Sequence, residues 1–248
     1  MNKIDANCTI GTWVNQELEV NDETQFLEAL DYYRIDRAIV SHVMAHTYDP
    51  IVGNERLLKL AAGDRRLIPC PILAPHYKYH AGWPAMAELL RVHGIKFARL
   101  APKEHGYALH SPHTREMFAI AERLGIHLLL GHAEITDAEG IELPGFELLL
   151  RQYPGVNVIV TGTKHRRKLM LYGYLESYPN VYAEFSLFDN WLSYQEAVGL
   201  FGSERLVWGS NMPFNMPGSA ITMLSYANIS AEDKANIAYH NIARLMGE

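Results

Sequence analysis

The residues of this 248-residue chain best suited to chemistry are its histidines. Nine of the 12 sit in polar stretches that directly follow runs of Ile, Val and Leu: His42, His46, His76, His80, His105, His110, His113, His132 and His165. Only His93, His127 and His240 fall elsewhere. Imidazole exchanges protons near neutral pH and ligates metals, so such a cluster suits proton transfer, a metal ion or recognition of a polar ligand. Other polar residues end the same apolar runs: Asn7 and Thr9, Arg99, Glu134, Thr161, Thr163 and Lys164, Glu184 and Ser186, and Asn211. Arg99 is a natural partner for a carboxylate or an oxyanion, and the amides of Asn7 and Asn211 can donate to a developing negative charge.

These residues need a scaffold that brings the ends of many apolar runs together. Eight runs read as strands, at 4–10, 37–42, 67–73, 95–101, 126–132, 156–161, 181–186 and 205–210. Their Ile, Val and Leu content fits strands buried on both faces. Amphipathic helices are expected between them at 22–33, 50–62, 83–93, 112–124, 144–153, 166–177, 194–201 and 220–226, with a last helix at 231–246 opened by Ser230. Gly94 and Gly125 fall where a helix-ending glycine belongs. Strict alternation of strand and helix implies an all-parallel sheet, and eight units suffice to close a (β/α)8 TIM barrel over 1–248 as one domain. An open doubly wound sheet is the other arrangement, but no GxGxxG follows the first strand. In a barrel, the histidine-rich stretches all fall at the C-terminal mouth, where such folds carry their active sites. Strand alternation puts Asn7 and Thr9 on one side and Cys8 on the other, facing the helices as a small apolar residue. Cys70, between Pro69 and Pro71, reads the same way.

Composition narrows the classes. With 22 Lys plus Arg against 28 Asp plus Glu, the net charge of −6 argues against a nucleic-acid or anionic-membrane partner. Two cysteines make no disulfide framework. The opening MNKIDANCTIG has no apolar leader, and no run is long enough to span a membrane, so a cytoplasmic protein with a small-molecule substrate is expected. Trp13, Trp83 and Trp191 follow strands and read as packing caps at the mouth. The segment LMLYGYLESY is expected to pack on the barrel or on a second copy, and a homodimer is compatible with it.

Several segments, in order along the chain, resemble the amidohydrolase-related family. IDANCTIG resembles the family's first-strand Asp-x-His-x-His motif. DPIVGNERLLKLAAGDRRLIPCPIL resembles its second helix and third strand. HGIKFARLAP, VNVIVTGTKH and RLVWGSNMPF resemble its strand-4, strand-6 and strand-8 motifs, and ISAEDKANIAYHNIARLMG its closing helix. The resemblance implies a hydrolase in which two strand-1 histidines, a strand-5 His, a strand-6 His and a strand-8 Asp hold one or two divalent metals. Here those positions are Asn7, Thr9, His132, Gly162 and Asn211, so one of the five ligands remains.

Asn and Thr are poor zinc ligands, and an amide takes up no proton near neutral pH. The residues therefore favour hydrolysis without the metal, with no cofactor expected. His132, His42 or His76 would be the base, and Asn7, Asn211 or Arg99 would hold the oxyanion or a substrate carboxylate. Thr9, Lys164, His165 and Glu184 complete the expected lining. The substrate class is a small polar or carboxylated lactone, ester or cyclic amide. Two alternatives stand beside this: a zinc or manganese site rebuilt from His42, His76, His132 and His165, and a non-catalytic barrel that binds a small molecule or a partner.

Overall fold

The computed structural model describes residues 1–248. Nine strands alternate with helices: β1 (Ile4–Ile10), β2 (Arg37–His42), β3 (Leu67–Pro69), β4 (Ile72–Leu73), β5 (Phe97–Leu100), β6 (His127–Gly131), β7 (Val158–Thr161), β8 (Val181–Glu184) and β9 (Leu206–Val207). Every neighbouring pair is parallel, in the orders β1-β2-β3 and β4-β5-β6-β7-β8-β9. β3 and β4 are two halves of one stave. Pro69 and Pro71 have no N–H to give, so the ladder breaks there. Cys70 N–H still reaches Val40 O at 2.8 Å, and Arg99 N–H reaches Pro71 O at 2.9 Å, which carries the sheet across the break. Ala6 N–H to Trp208 O (3.1 Å) and Thr9 N–H to Met212 O (2.9 Å) join the first stave to the last. The result is the expected eight-stave (β/α)8 barrel.

Two apolar layers hold it. Ile4, Ile39, Phe97, Leu129, Ile159 and Val207 fill the barrel interior together with Cys70, and Ile242 and Leu245 of the last helix close its floor. A larger layer between strands and helices contains Cys8. Both thiols are buried and free. Burial pushes Cys70 up to about 12 and Cys8 well above the usual thiol range, so neither is a thiolate. No helix is long and apolar enough to cross a membrane.

Several expected strands are shorter than their apolar runs, and polar capture of the backbone is the reason. Expected strand 181–186 stops at Glu184 because that residue's carboxylate takes the Ser186 N–H. Expected strand 205–210 stops at Val207: Trp208 N–H turns to Ile237 O, and Ser210 N–H goes to Asp5 Oδ1 at 2.9 Å. His132 does not end β6 but opens the single-turn helix His132–Ile135. The closing helix is interrupted by a π turn at Asn236–His240. In β1 the pairing with β2 shifts between Asp5 and Cys8, a bulge that leaves Asn7 at the mouth and Cys8 outside.

Buried asparagines pin loops to the sheet. Asn54 donates to Ile72 O (2.8 Å) and Tyr77 Oη (2.9 Å) and accepts from Ile72 N–H (2.9 Å). It thus fixes the short β4 next to the proline break. Asn54→Ala would leave both polar groups of Ile72 without that partner in a buried setting. The expected loss is about 2–4 kcal/mol in urea unfolding. An unchanged midpoint would show that Asn54 does not anchor this stave.

Candidate active site at the barrel mouth

A cavity of about 220 Å³ opens at the C-terminal ends of the strands. Its polar walls are Asn7, His46, Arg99, Glu104, His132, Glu134 and Asn211. Asn7 ties them together. Its Oδ1 accepts from Arg99 Nη2 at 2.7 Å, while its Nδ2 faces Glu184 Oε2 at 3.2 Å and Asn211 Oδ1 at 3.4 Å. Because Asn211 Oδ1 takes an amide proton from Asn7, the Asn211 amide presents its own Nδ2 protons elsewhere, with no protein acceptor. Asn211 holds this pose from a left-handed backbone with φ 62°.

His132 is buried, and its Nε2 has no protein partner. Burial pushes its pKa below the ordinary histidine range, and the Arg167 charge pushes the same way. It is therefore a neutral imidazole at physiological pH, in its proton-accepting form. Arg99 Nε is likewise buried without a partner. His46 differs, because both its nitrogens are engaged. Nδ1 lies 2.6 Å from Glu104 Oε2, and Nε2 lies 2.8 Å from Ser41 Oγ, which is 3.4 Å from Thr9 Oγ1. Burial alone would raise the Glu104 carboxyl, but the hydrogen bond and charge of His46 outweigh it and hold Glu104 below the usual range. Glu134 goes the other way. Burial raises it, against a 2.7 Å hydrogen bond from Lys103 N–H. The mouth thus holds an imidazole lowered by burial, one carboxyl held below the usual range and one raised above it.

Not every expected residue reaches this cavity. Thr9 lies behind Asn7 and touches Ser41. His42 caps a helix, its Nδ1 accepting from Met44 N–H at 3.1 Å, while Nε2 sits 3.7 Å from Glu23. His76 lines a separate surface hollow and stacks edge-on with His105, their ring centroids 5.4 Å apart. His165 is held by Ser193 Oγ (3.2 Å) and Asn190 Nδ2 (3.3 Å), and Lys164 lines a neighbouring pocket. His42 and His76 therefore do not share a site with His132, and the four-histidine metal centre does not assemble. Of the expected aromatic caps, Trp13 packs edge-on against Phe214 with centroids 4.8 Å apart, whereas Trp191 is exposed. His46 and Glu134, named above among the polar residues after strand ends, line the cavity, and so does Glu104, which the sequence reading passes over. Their signal was position alone: each follows the end of a strand within a few residues.

Nor do the residues present fit a divalent metal. No three His, Cys, Asp or Glu side chains are placed to hold an ion together, and Asn7, Gly162 and Asn211 are poor donors or none.

Beneath the cavity, Glu184 is fully buried. Its carboxylate accepts from Gly162 N–H (3.0 Å), Ser186 Oγ (2.9 Å), Ser186 N–H and Asn7 Nδ2. Burial still raises its pKa from 4.5 to about 7. A carboxyl that holds its proton more tightly when folded makes the protein lose stability as pH rises through this window. The loss begins near pH 4.5, where the unfolded group ionises, and is complete above about 7. It amounts to about 3 kcal/mol. Urea unfolding from pH 4.5 to 8 should show this decline in the wild type. Glu184→Gln should lose that dependence while being less stable at every pH, because its amide faces donors. Parallel pH curves for the two proteins would disprove the assignment.

Comparison with known proteins agrees with this architecture. A comparison with curated proteins finds no match. Among solved structures, a 2,6-dihydroxybenzoate decarboxylase from Rhizobium superposes with a TM-score of 0.75 at 14% identity, covering 100% of this chain and 99% of that one. A dihydroxybenzoic acid decarboxylase from Polaromonas, with bound manganese and 2-nitroresorcinol, gives 0.76 at 13%, covering 100% and 97%. A TIM-barrel protein from Bordetella bronchiseptica gives 0.72 at 12%, covering 100% and 99%. These likenesses establish the barrel. The family model described as amidohydrolase matches residues 52–247, and the chain belongs to that family.

Proposed function

We propose that this chain hydrolyses a small carboxylated ester, lactone or cyclic amide by acid–base chemistry without a divalent metal. The observation that carries this reading is His132, a buried neutral imidazole with an unpartnered Nε2 on the wall of a cavity that also presents Arg99. Arg99 holds the substrate carboxylate, since its guanidinium lines the cavity and is fixed there through Nη2 on Asn7 Oδ1. His132 takes a proton from water as the oxygen adds to the carbonyl carbon. The carbonyl electron pair moves onto oxygen, where the free amide protons of Asn211 stabilise it. Collapse expels the alkoxide or amine, which takes the proton of Glu134. Glu104 keeps His46 in one orientation, and Asn7 keeps Arg99 and Asn211 in place.

The decarboxylases that share the fold supply a second reaction to test, loss of CO2 from an aromatic acid held at Arg99. One feature favours hydrolysis: two titratable groups shifted in opposite directions, His132 and Glu134, sit on the cavity wall as an acid–base pair.

Chelator-treated protein should turn over members of a carboxylated lactone, ester and cyclic-amide panel, with one oxygen from labelled water entering the product. His132→Asn should lower kcat by about 10²–10⁴-fold with the fold intact by circular dichroism. CO2 release without water incorporation, or turnover only after manganese is added, would overturn the proposal. For kcat/KM, the acid limb should fall below the ordinary histidine range, because His132 is depressed, and the alkaline limb above the ordinary carboxylate range, because Glu134 is raised. Glu134→Gln should remove the alkaline limb. If the limb stays in that variant, another group is the acid.

A further inference from the structure

The loop after β7 carries five consecutive basic residues, Lys164 to Lys168, in a chain whose net charge is −6. Three are committed within the protein. Lys168 pairs with Glu196, Arg167 donates to Ala138 O at 3.3 Å, and the His165 ring is held by Ser193 and Asn190. Lys164 and Arg166 are exposed, and their side chains find no protein partner. Both line a pocket of about 390 Å³ with Ser186, Leu187, Asp189 and Asn215.

This pocket shares a wall with the mouth cavity. Leu187 lines both, and Ser186 Oγ lies 3.4 Å from Asn7 Nδ2. The cavity of about 220 Å³ is smaller than the ~300 Å³ at the low end of small-molecule sites, and the pocket continues it past Leu187. The pocket is formed by the loops after β7, β8 and β9, and Ser219 at the start of helix Pro217–Tyr226 lies on its wall. That helix opens with Pro217 and has no side-chain cap. Asp189 offsets one of the two cations, leaving a net positive charge with several donors from three loops. A tetrahedral oxyanion with three acceptor oxygens matches that supply better than a single planar group.

Building on the hydrolytic reading, we infer that the pocket lined by Lys164 and Arg166 binds a phosphate group carried by the substrate, beyond the carboxylate held at Arg99. The substrate class is then a phosphorylated carboxylic acid derivative. Nothing is transferred at this pocket. The phosphate is an anchor whose binding energy positions the scissile bond.

The test is direct titration of the full chain with inorganic phosphate by calorimetry, at matched ionic strength, in wild type, Lys164→Ala/Arg166→Ala and Arg99→Ala. Phosphate should bind wild type and Arg99→Ala alike, and the double variant at least about ten-fold more weakly, the loss of two charge-assisted contacts. Acetate in the same titration should be sensitive to Arg99→Ala and not to the double variant. No phosphate binding by wild type, or binding lost in Arg99→Ala and kept in the double variant, would overturn the inference. Acetate binding that ignores Arg99→Ala would instead remove the carboxylate seat and leave the phosphate pocket standing, so the two failures are separable.

Discussion

The carboxylate of Glu184 is the interaction on which the mouth depends. It is fully buried, and it gathers donors from β1, from the loop after β7 and from the loop after its own strand. An ionised group in that position is costly unless each lone pair is met. Four donors meet it, and in doing so fix the places of Asn7, Gly162 and Ser186. The packing is close enough that a side chain at Gly209 would collide with the carboxylate. Asp5 has a parallel role one stave away, joining β1 to the segment after β9 through Ser210 N–H and bracing Asn7 N–H at 3.1 Å. Two buried acids, each raised by burial, therefore lie under the cavity and shape its floor without touching its contents.

Above that floor, burial acts on three titratable groups with different outcomes. It depresses His132, raises Glu134 and is overridden at Glu104 by the neighbouring His46. The charge of Arg99, whose Nη2 is anchored on Asn7, is felt by both glutamates, while Arg167 and Lys103 act on His132. On the proposed reading, this arrangement seats a carboxylate next to an acid–base pair. It also explains how polar residues at the family's metal positions keep a use: Asn7 and Asn211 hold one another and Arg99 in register rather than holding an ion.

The sequence by itself determined the barrel and the end of it that carries the chemistry. Buried parallel strands must be apolar throughout, so the eight runs stand out, and the helix signal at Ser230 lies at a real helix start. It also marked Asn7, Arg99, His132 and Asn211, because each follows or ends a strand and strand ends converge in a closed barrel. Which loop residues meet inside the mouth was decided only by tertiary structure. His42 and His46 are four residues apart, yet one caps a helix against Glu23 while the other reaches Glu104 across the mouth. Loop direction is set by long-range hydrogen bonds and backbone turns, as with the left-handed Asn211 and the capture of Ser186 by Glu184, and no local spacing encodes these.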